Sequence, residues 1–238
     1  MRLTADLIES RLPPRREPRM PAPTLDEATM RAALDRILAD RPPGERLHLF
    51  SYGALMWDSA SVPGAEAAPA DAPGFARSFC LRDIHNRGVP EAPGLTLGIR
   101  AAPGARCGGV LYTLPEGRRE ERAIWSAWQQ EMSPGFYTPV WLAALPQLGG
   151  RAVRAIGFVA NPSHPLYAGD APEEQQATVL AGAVGPQGPD AEYLRRATES
   201  LREGGVPDPL LERLADRVAD RLEGMVGATG IEPVTLRV

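Results

Sequence analysis

Apolar residues recur with helical spacing in five stretches of the chain. Met30, Leu34, Ile37 and Leu38 share one helix face, with a capping box at Thr24 and Glu27 before them and Pro42-Pro43-Gly44 after. Ile124, Ala127 and Trp128 begin a second face that continues to Glu131 and stops at Ser133-Pro134-Gly135. Pro172 starts a third helix through Val184, at the position where a missing N–H does no harm. Leu194, Ala197 and Leu201 define a helix over Asp190–Arg202, and Leu210, Leu214, Val218 and Leu222 define the last, over Leu210–Leu222. Strand-like runs cover Leu47–Ser51, Phe75–Arg82, Leu95–Arg100, Cys107–Leu114, Tyr137–Leu145 and Arg151–Ala160. Leu95-Thr96-Leu97-Gly98-Ile99 alternates as a half-buried antiparallel strand does. Ser59–Gly74, rich in Pro and Ala, reads as a loop. Strands thus fill the first two thirds around one inserted helix, and helices follow. This segregation predicts an α+β fold with a mostly antiparallel sheet or small barrel.

Composition narrows the function. The 238 residues are 43% hydrophobic and 24% charged, as in a soluble globular domain, and carry a net charge of -4. That charge gives no support for a nucleic-acid or acidic-membrane partner. No run of 18 apolar residues exists to span a membrane, and Met1–Pro23 lacks a signal-peptide core. Cys80 and Cys107 are far apart, and His48, His85 and His164 are scattered, so neither a disulfide framework nor metal-ligand spacing is present. The expectation is a cytoplasmic protein with no metal and no cofactor. One domain is expected over residues 24–223. Met1–Pro23 is expected as a mobile arm, or alternatively a basic docking arm, and Gly224–Val238 as a disordered tail, or alternatively an added edge strand.

Glu131 is the candidate of greatest chemical interest. It is a carboxylate on an otherwise apolar helix face and in the last turn. Loss of water and the negative end of the helix dipole both disfavour its charged form. A carboxylate with a raised pKa suits a general base; pairing with an arginine or turning to solvent is the structural alternative. The strand exit Tyr52-Gly53-Ala54-Leu55-Met56-Trp57 is a second candidate, because successive backbone N–H groups can cradle a negative group. An ordinary tight turn flanked by core aromatics is the alternative. Arg87, in the turn His85–Pro90, has a guanidinium fork that suits a carboxylate, although most such arginines serve the surface.

Several stretches together resemble one family. Phe50-Ser51-Tyr52-Gly53-Ala54-Leu55-Met56-Trp57 is similar to a Y-G-S-L-x-W signature. Arg87-Gly88-Val89-Pro90-Glu91-Ala92-Pro93-Gly94 is similar to R-G-T-P-x-x-P-G, and Cys107-Gly108-Gly109-Val110-Leu111-Tyr112 to C-x-G-V-x-Y. Glu131-Met132 with Gly135-Phe136-Tyr137 and Pro139-Val140-Trp141 resembles R-E-M-x-x-G-x-Y-x-P-x-W. Asn161–Asp170 and Gly188–Leu194 complete an ordered set over about Leu47 to Leu214. The set resembles the ChaC-like γ-glutamylcyclotransferases.

The resemblance implies a small β-barrel flanked by helices, with the C-terminal helices packed on it. It implies cleavage of glutathione to 5-oxoproline and cysteinylglycine without a cofactor, the partner being a small molecule, glutathione or a related γ-glutamyl peptide. Glu131 takes the place of the catalytic glutamate. Tyr52, Gly53, Ala54 and Leu55 take that of the loop holding the γ-glutamyl group, with Met56, Trp57, Arg87 and Tyr137 beside it. Ala54 departs from the usual Ser, and Gln129-Gln130 replace arginines often found before the glutamate. A non-catalytic binding or regulatory protein, acting on cation transport as an older family name has it, is the alternative. Another is a cyclotransferase for a different γ-glutamyl amine.

Overall fold

The computed structural model describes residues 1–225. A closed five-stranded barrel is formed by β1 (His48–Ser51), β2 (Glu66–Asp83), β3 (Gly94–Thr113), β4 (Tyr137–Pro146) and β5 (Val153–Ala160), in the order β1-β3-β2-β4-β5. Neighbours within that order pair antiparallel, and β5 closes the barrel through parallel pairings of Ile156 with Leu49 of β1 and Val159 with Ile99 of β3. The expected α+β barrel with helices around it is the fold found. A short hairpin of β6 (Val184–Gly185) and β7 (Gly188–Pro189) stands apart.

β2 and β3 differ from expectation. Leu95–Arg100 and Cys107–Leu114 are two ends of one strand, and half of the expected loop Ser59–Gly74 is its partner. Pro69 fits the ladder because its carbonyl accepts from the N–H of Gln147, 3.0 Å away. Residue 69 therefore turns its backbone polar edge away from β3, and its missing N–H costs that ladder nothing. Register shifts near Pro73, where Gly74 has φ +80°, take up the irregularity that the Pro and Gly residues signal.

The helices are α1 (Ala5–Arg11), α2 (Glu27–Leu38), α3 (Arg118–Met132), α4 (Glu173–Gly182), α5 (Asp190–Glu203) and α6 (Pro209–Gly224). Asp26 caps α2 by accepting from the Thr29 N–H at 2.8 Å, in place of the expected Thr24. Apolar residues form two clusters. One joins the barrel to α1, α4, α5 and α6, and the other joins it to α2 and α3. Trp128 of α3 is fully buried in the second and donates to the Met30 carbonyl of α2 at 2.9 Å.

Met1–Pro23 is not the free arm expected. Thr4 caps α1, Leu3 and Ile8 are 0% and 2% exposed, and Arg2 pairs with Asp220 and Glu223 of α6. One anchored side chain in so short a helix, with Leu3 before its cap, leaves no periodic signature, so the proline and arginine content dominates the sequence. Gly224, expected to open the tail, ends α6, and the rest of that tail beyond residue 225 lies outside the described residues.

Candidate active site

A cavity of about 430 Å³ lies where the barrel meets α3, α5 and the β6–β7 turn. Six segments supply its chemistry. α3 brings Gln130 and Glu131, and the exit of β1 brings Tyr52, Gly53, Ala54, Leu55, Trp57 and Asp58. The turn after β2 brings Asp83, Asn86 and Arg87; β4 starts with Tyr137; the hairpin brings Gln187; α5 brings Tyr193 and Arg196.

Glu131 reaches the cavity because the face it shares with Ile124, Ala127 and Trp128 packs on the barrel, and it lies in the last turn of the helix. Its remaining accessibility opens into the cavity, and desolvation pushes its pKa up to about 7. No cation offsets that effect among the described residues. Its titratable neighbours are Tyr52, Tyr137 and Tyr193, whose own hydroxyls are held far above their ordinary pKa, first by burial and also by the Glu131 charge. All three therefore stay protonated and can donate. The hydroxyl of Tyr137 donates to the Leu97 carbonyl at 2.5 Å, and that of Tyr52 to the Phe158 carbonyl. These bonds fix two rings against the barrel wall. Tyr193 lies edge-on to Trp57, with ring centroids 5.4 Å apart, and its hydroxyl is 3.4 Å from Thr96 Oγ1.

The loop after β1 is anchored from beneath by Tyr112 of β3, whose hydroxyl donates to the Leu55 carbonyl at 2.6 Å. Ala54–Met56 form one 3-10 turn, in which the N–H groups of Met56 and Trp57 bond back to Gly53 and Ala54 at 2.9 and 3.2 Å. Gly53 has φ -136°, a value open to any residue, so its small size matters rather than its conformational freedom. A Cβ there would meet the Tyr193 hydroxyl at 3.1 Å. Met56 does not line the cavity; the tight turn sets it against the first hydrophobic cluster.

At the other end, Asp83 organises the turn that carries Arg87. Its carboxylate accepts from the N–H groups of His85, Asn86 and Arg87 at 2.9, 2.8 and 3.0 Å. The Arg87 guanidinium donates to the Gln187 carbonyl, while its buried Nε has no partner. Burial also lowers the Arg87 pKa, so an anion facing the fork would be held strongly. Asp190 is fully buried at the start of α5, accepts from the Leu95 N–H at 2.6 Å, and is pushed well above its usual pKa by desolvation. It ties α5 to the start of β3, and thereby fixes the base of Tyr193.

The family described as ChaC-like protein matches residues 47–221. The chain belongs to the ChaC-like family. Among its relatives, the glutathione-specific γ-glutamylcyclotransferase of Escherichia coli (strain K12) is 37% identical over 183 residues, 77% of either chain. γ-Glutamylcyclotransferase 2-3 of Arabidopsis thaliana is 30% identical over 178 residues, 71% of this chain and 87% of that one. A crystal structure of a γ-glutamyl cyclotransferase specific to glutathione from yeast superposes with a TM-score of 0.63, over 75% of this chain and all of that one. At 18% identity that likeness concerns the fold.

In this ChaC-like chain one cavity collects Glu131, Tyr52, Gly53, Ala54, Leu55, Trp57, Arg87 and Tyr137. Of the two ChaC-like departures at 129 and 130, Gln130 is in the wall and Gln129 faces out. Tyr193, Thr96, Asn86, Gln187 and Arg196 line it without having been singled out. Tyr193 had a signal: with Asp190, Leu194, Ala197 and Leu201 it shares a packed face that, like that of Glu131, includes a carboxyl. Gln187 had none, being a polar residue in a Gly-Pro-Gln-Gly-Pro turn. Among the described residues no helix is long and apolar enough to cross a membrane.

Proposed function

We propose that the chain cleaves glutathione as a γ-glutamylcyclotransferase, with Glu131 as base and then acid. The observation that carries this reading is the desolvated Glu131 carboxyl, ringed by three protonated tyrosines and sharing a cavity with the Gly53–Leu55 loop and Arg87.

The substrate's α-amine attacks its own γ-carbonyl carbon and closes a five-membered lactam. Holding that near-attack geometry accounts for up to roughly 7–11 kcal/mol of barrier in favourable intramolecular reactions. The amine arrives as an ammonium and must first lose a proton. Glu131, with its pKa near 7, takes one at neutral pH and still holds it weakly enough to return it. The tetrahedral oxyanion is assigned to backbone N–H groups of Gly53–Leu55 that the 3-10 turn does not consume. On collapse the amide C–N bond breaks, Glu131 protonates the departing nitrogen of cysteinylglycine, and the second proton lost by the ring nitrogen ends on the same amine, which leaves as an ammonium. Products are 5-oxoproline and the dipeptide, with no water consumed. Arg87, with Asn86 beside it, is assigned the carboxylate at the far end of the substrate. Neither a metal nor a cofactor has a part in the scheme. Two free, buried thiols, Cys80 and Cys107, suit a reducing compartment such as the cytoplasm.

Incubation with glutathione tests the reading: 5-oxoproline and cysteinylglycine should appear in equal amounts, and not with Glu131→Gln. Binding without turnover would favour the alternative, a non-catalytic regulator, for which the missing hydroxyl at Ala54 speaks. Turnover of other γ-glutamyl amines but not glutathione would redirect the substrate assignment alone.

A further inference from the structure

Residues 1–46 precede the ChaC-like match, yet they touch both ends of the cavity. At the base end, the Leu25 N–H donates to the Ser133 carbonyl at 2.9 Å, two residues past Glu131. The Leu25 side chain covers Gly135, whose φ is +79°, so closely that a Cβ there would meet Leu25 Cγ at 3.3 Å. One turn earlier, Trp128 donates to the Met30 carbonyl. The last turn of α3 is therefore held from outside by α2 and the residue that leads into it.

At the arginine end, the Arg16 N–H donates to the Gly185 carbonyl at 3.0 Å. A Cβ on Gly188 would lie 3.0 Å from the Pro14 carbonyl on one side and 3.3 Å from an Arg87 guanidinium nitrogen on the other. The β6–β7 hairpin is thus clamped between the N-terminal segment and the turn of Arg87. Within that clamp, Gln187 bonds Asn86 twice, N–H to carbonyl at 2.8 Å and side chain to side chain at 2.7 Å. Leu3, Ile8 and the Arg2 ion pairs fasten the segment to the helices behind it.

We propose that residues 1–46 are a brace fixing the two ends of the cavity, with Leu25 the positioning residue for Glu131 and the Arg16 amide the positioning group for Arg87. The roles of those two residues rest on the reading above. The ends are tied separately, so they should fail separately. Loosening Leu25 lets α3 fray and water reach Glu131. The other titratable groups facing that carboxyl, Tyr52 on the β1 exit, Tyr137 on β4 and Tyr193 on α5, are not held by Leu25 and stay protonated. Loosening Arg16 frees the hairpin and the arginine turn, leaving the base alone.

Full-length Leu25→Ala, Leu25→Met, Arg16→Pro and Arg16→Ala separate these effects; alanine at 16 keeps the amide and proline removes it. With glutathione, Leu25→Ala should lower kcat by roughly tenfold and move the acid limb of the pH profile down by about half a unit or more, and Leu25→Met should restore both. Arg16→Pro should raise KM by roughly three- to tenfold with kcat and the acid limb unchanged, and Arg16→Ala should behave as the unaltered chain. Two measurements need no substrate. The Glu131 carboxyl titration, followed by ¹³C NMR, should shift down in Leu25→Ala. Amide exchange at Gln187 should quicken in Arg16→Pro and not in Arg16→Ala. An unmoved titration and unmoved exchange, with only Tm lowered, overturn the brace whether or not glutathione is turned over. Inactivity of the unaltered chain toward glutathione, with both substrate-free shifts present, overturns the substrate reading and leaves the brace standing.

Discussion

The hydroxyl of Tyr193 stands 3.1 Å from where a Cβ on Gly53 would sit. Two segments 140 positions apart in the chain thus share one small volume at the cavity wall. The contact is tight enough that any side chain at 53 displaces the phenol or the loop. Gly53→Ala should lower kcat/KM by roughly tenfold, and Gly53→Val by more. Removing the crowded hydroxyl with Tyr193→Phe should make the effect of Gly53→Ala much smaller. A double-mutant cycle with purely additive losses would show that the two residues act independently.

Glu131→Gln keeps volume and removes basicity. Turnover of glutathione should fall by roughly 10²–10⁴-fold, the usual share of general acid–base catalysis, with the fold intact by circular dichroism. Near-normal turnover in this variant would assign the proton transfer elsewhere.

The pH dependence follows from burial of the same group. Glu131 titrates near 7 rather than at its ordinary 4.5. Between those values the folded chain holds more proton than the unfolded chain, so this group's contribution to stability is complete below 4.5 and declines until about pH 7. The slope is at most about 1.4 kcal/mol per pH unit, and less here because the side chain is partly open to the cavity. Glu131→Gln lacks the decline. Its Tm should match that of the unaltered chain near pH 4.5 and exceed it at pH 8. kcat/KM of the unaltered chain should rise with pH up to about 7. Equal melting of both proteins at all pH values would mean that the carboxyl is hydrated.

Ala54 begins the 3-10 turn in the cavity wall, next to Gly53. Ala54→Ser adds one hydroxyl without disturbing the turn. It should be tolerated, and a new hydrogen bond to substrate would raise kcat/KM by up to roughly fivefold, equivalent to about 1 kcal/mol. A severe loss would place the Ala54 Cβ in contact with the substrate.

Glu131 was legible because two local signals coincide in it: a carboxyl in an apolar helical period, and a Ser-Pro-Gly stop that ends the helix beside it. The barrel followed from runs such as Tyr137–Leu145 and Arg151–Ala160, whose apolar content already reads as strand. Glu66–Gly74 was misread because Pro69 and Pro73 count as breakers, whereas only the pairing partner reveals that the proline edge of residue 69 faces away from β3. The Tyr193, Asn86 and Gln187 contacts depend on chain segments that meet only after folding, and no local period carries such information.

α1 docks against α5 and α6, and Arg2 finds its carboxylates only at Asp220 and Glu223. During synthesis the N-terminal residues are therefore made well before the helices that hold them. The hairpin that the N-terminal residues clamp, and the Arg87 turn behind it, can be fastened only once residues 184–189 are made. A chain that already contains Glu131 and the complete barrel still lacks one end of its cavity until Gln187, Tyr193 and Arg196 have followed.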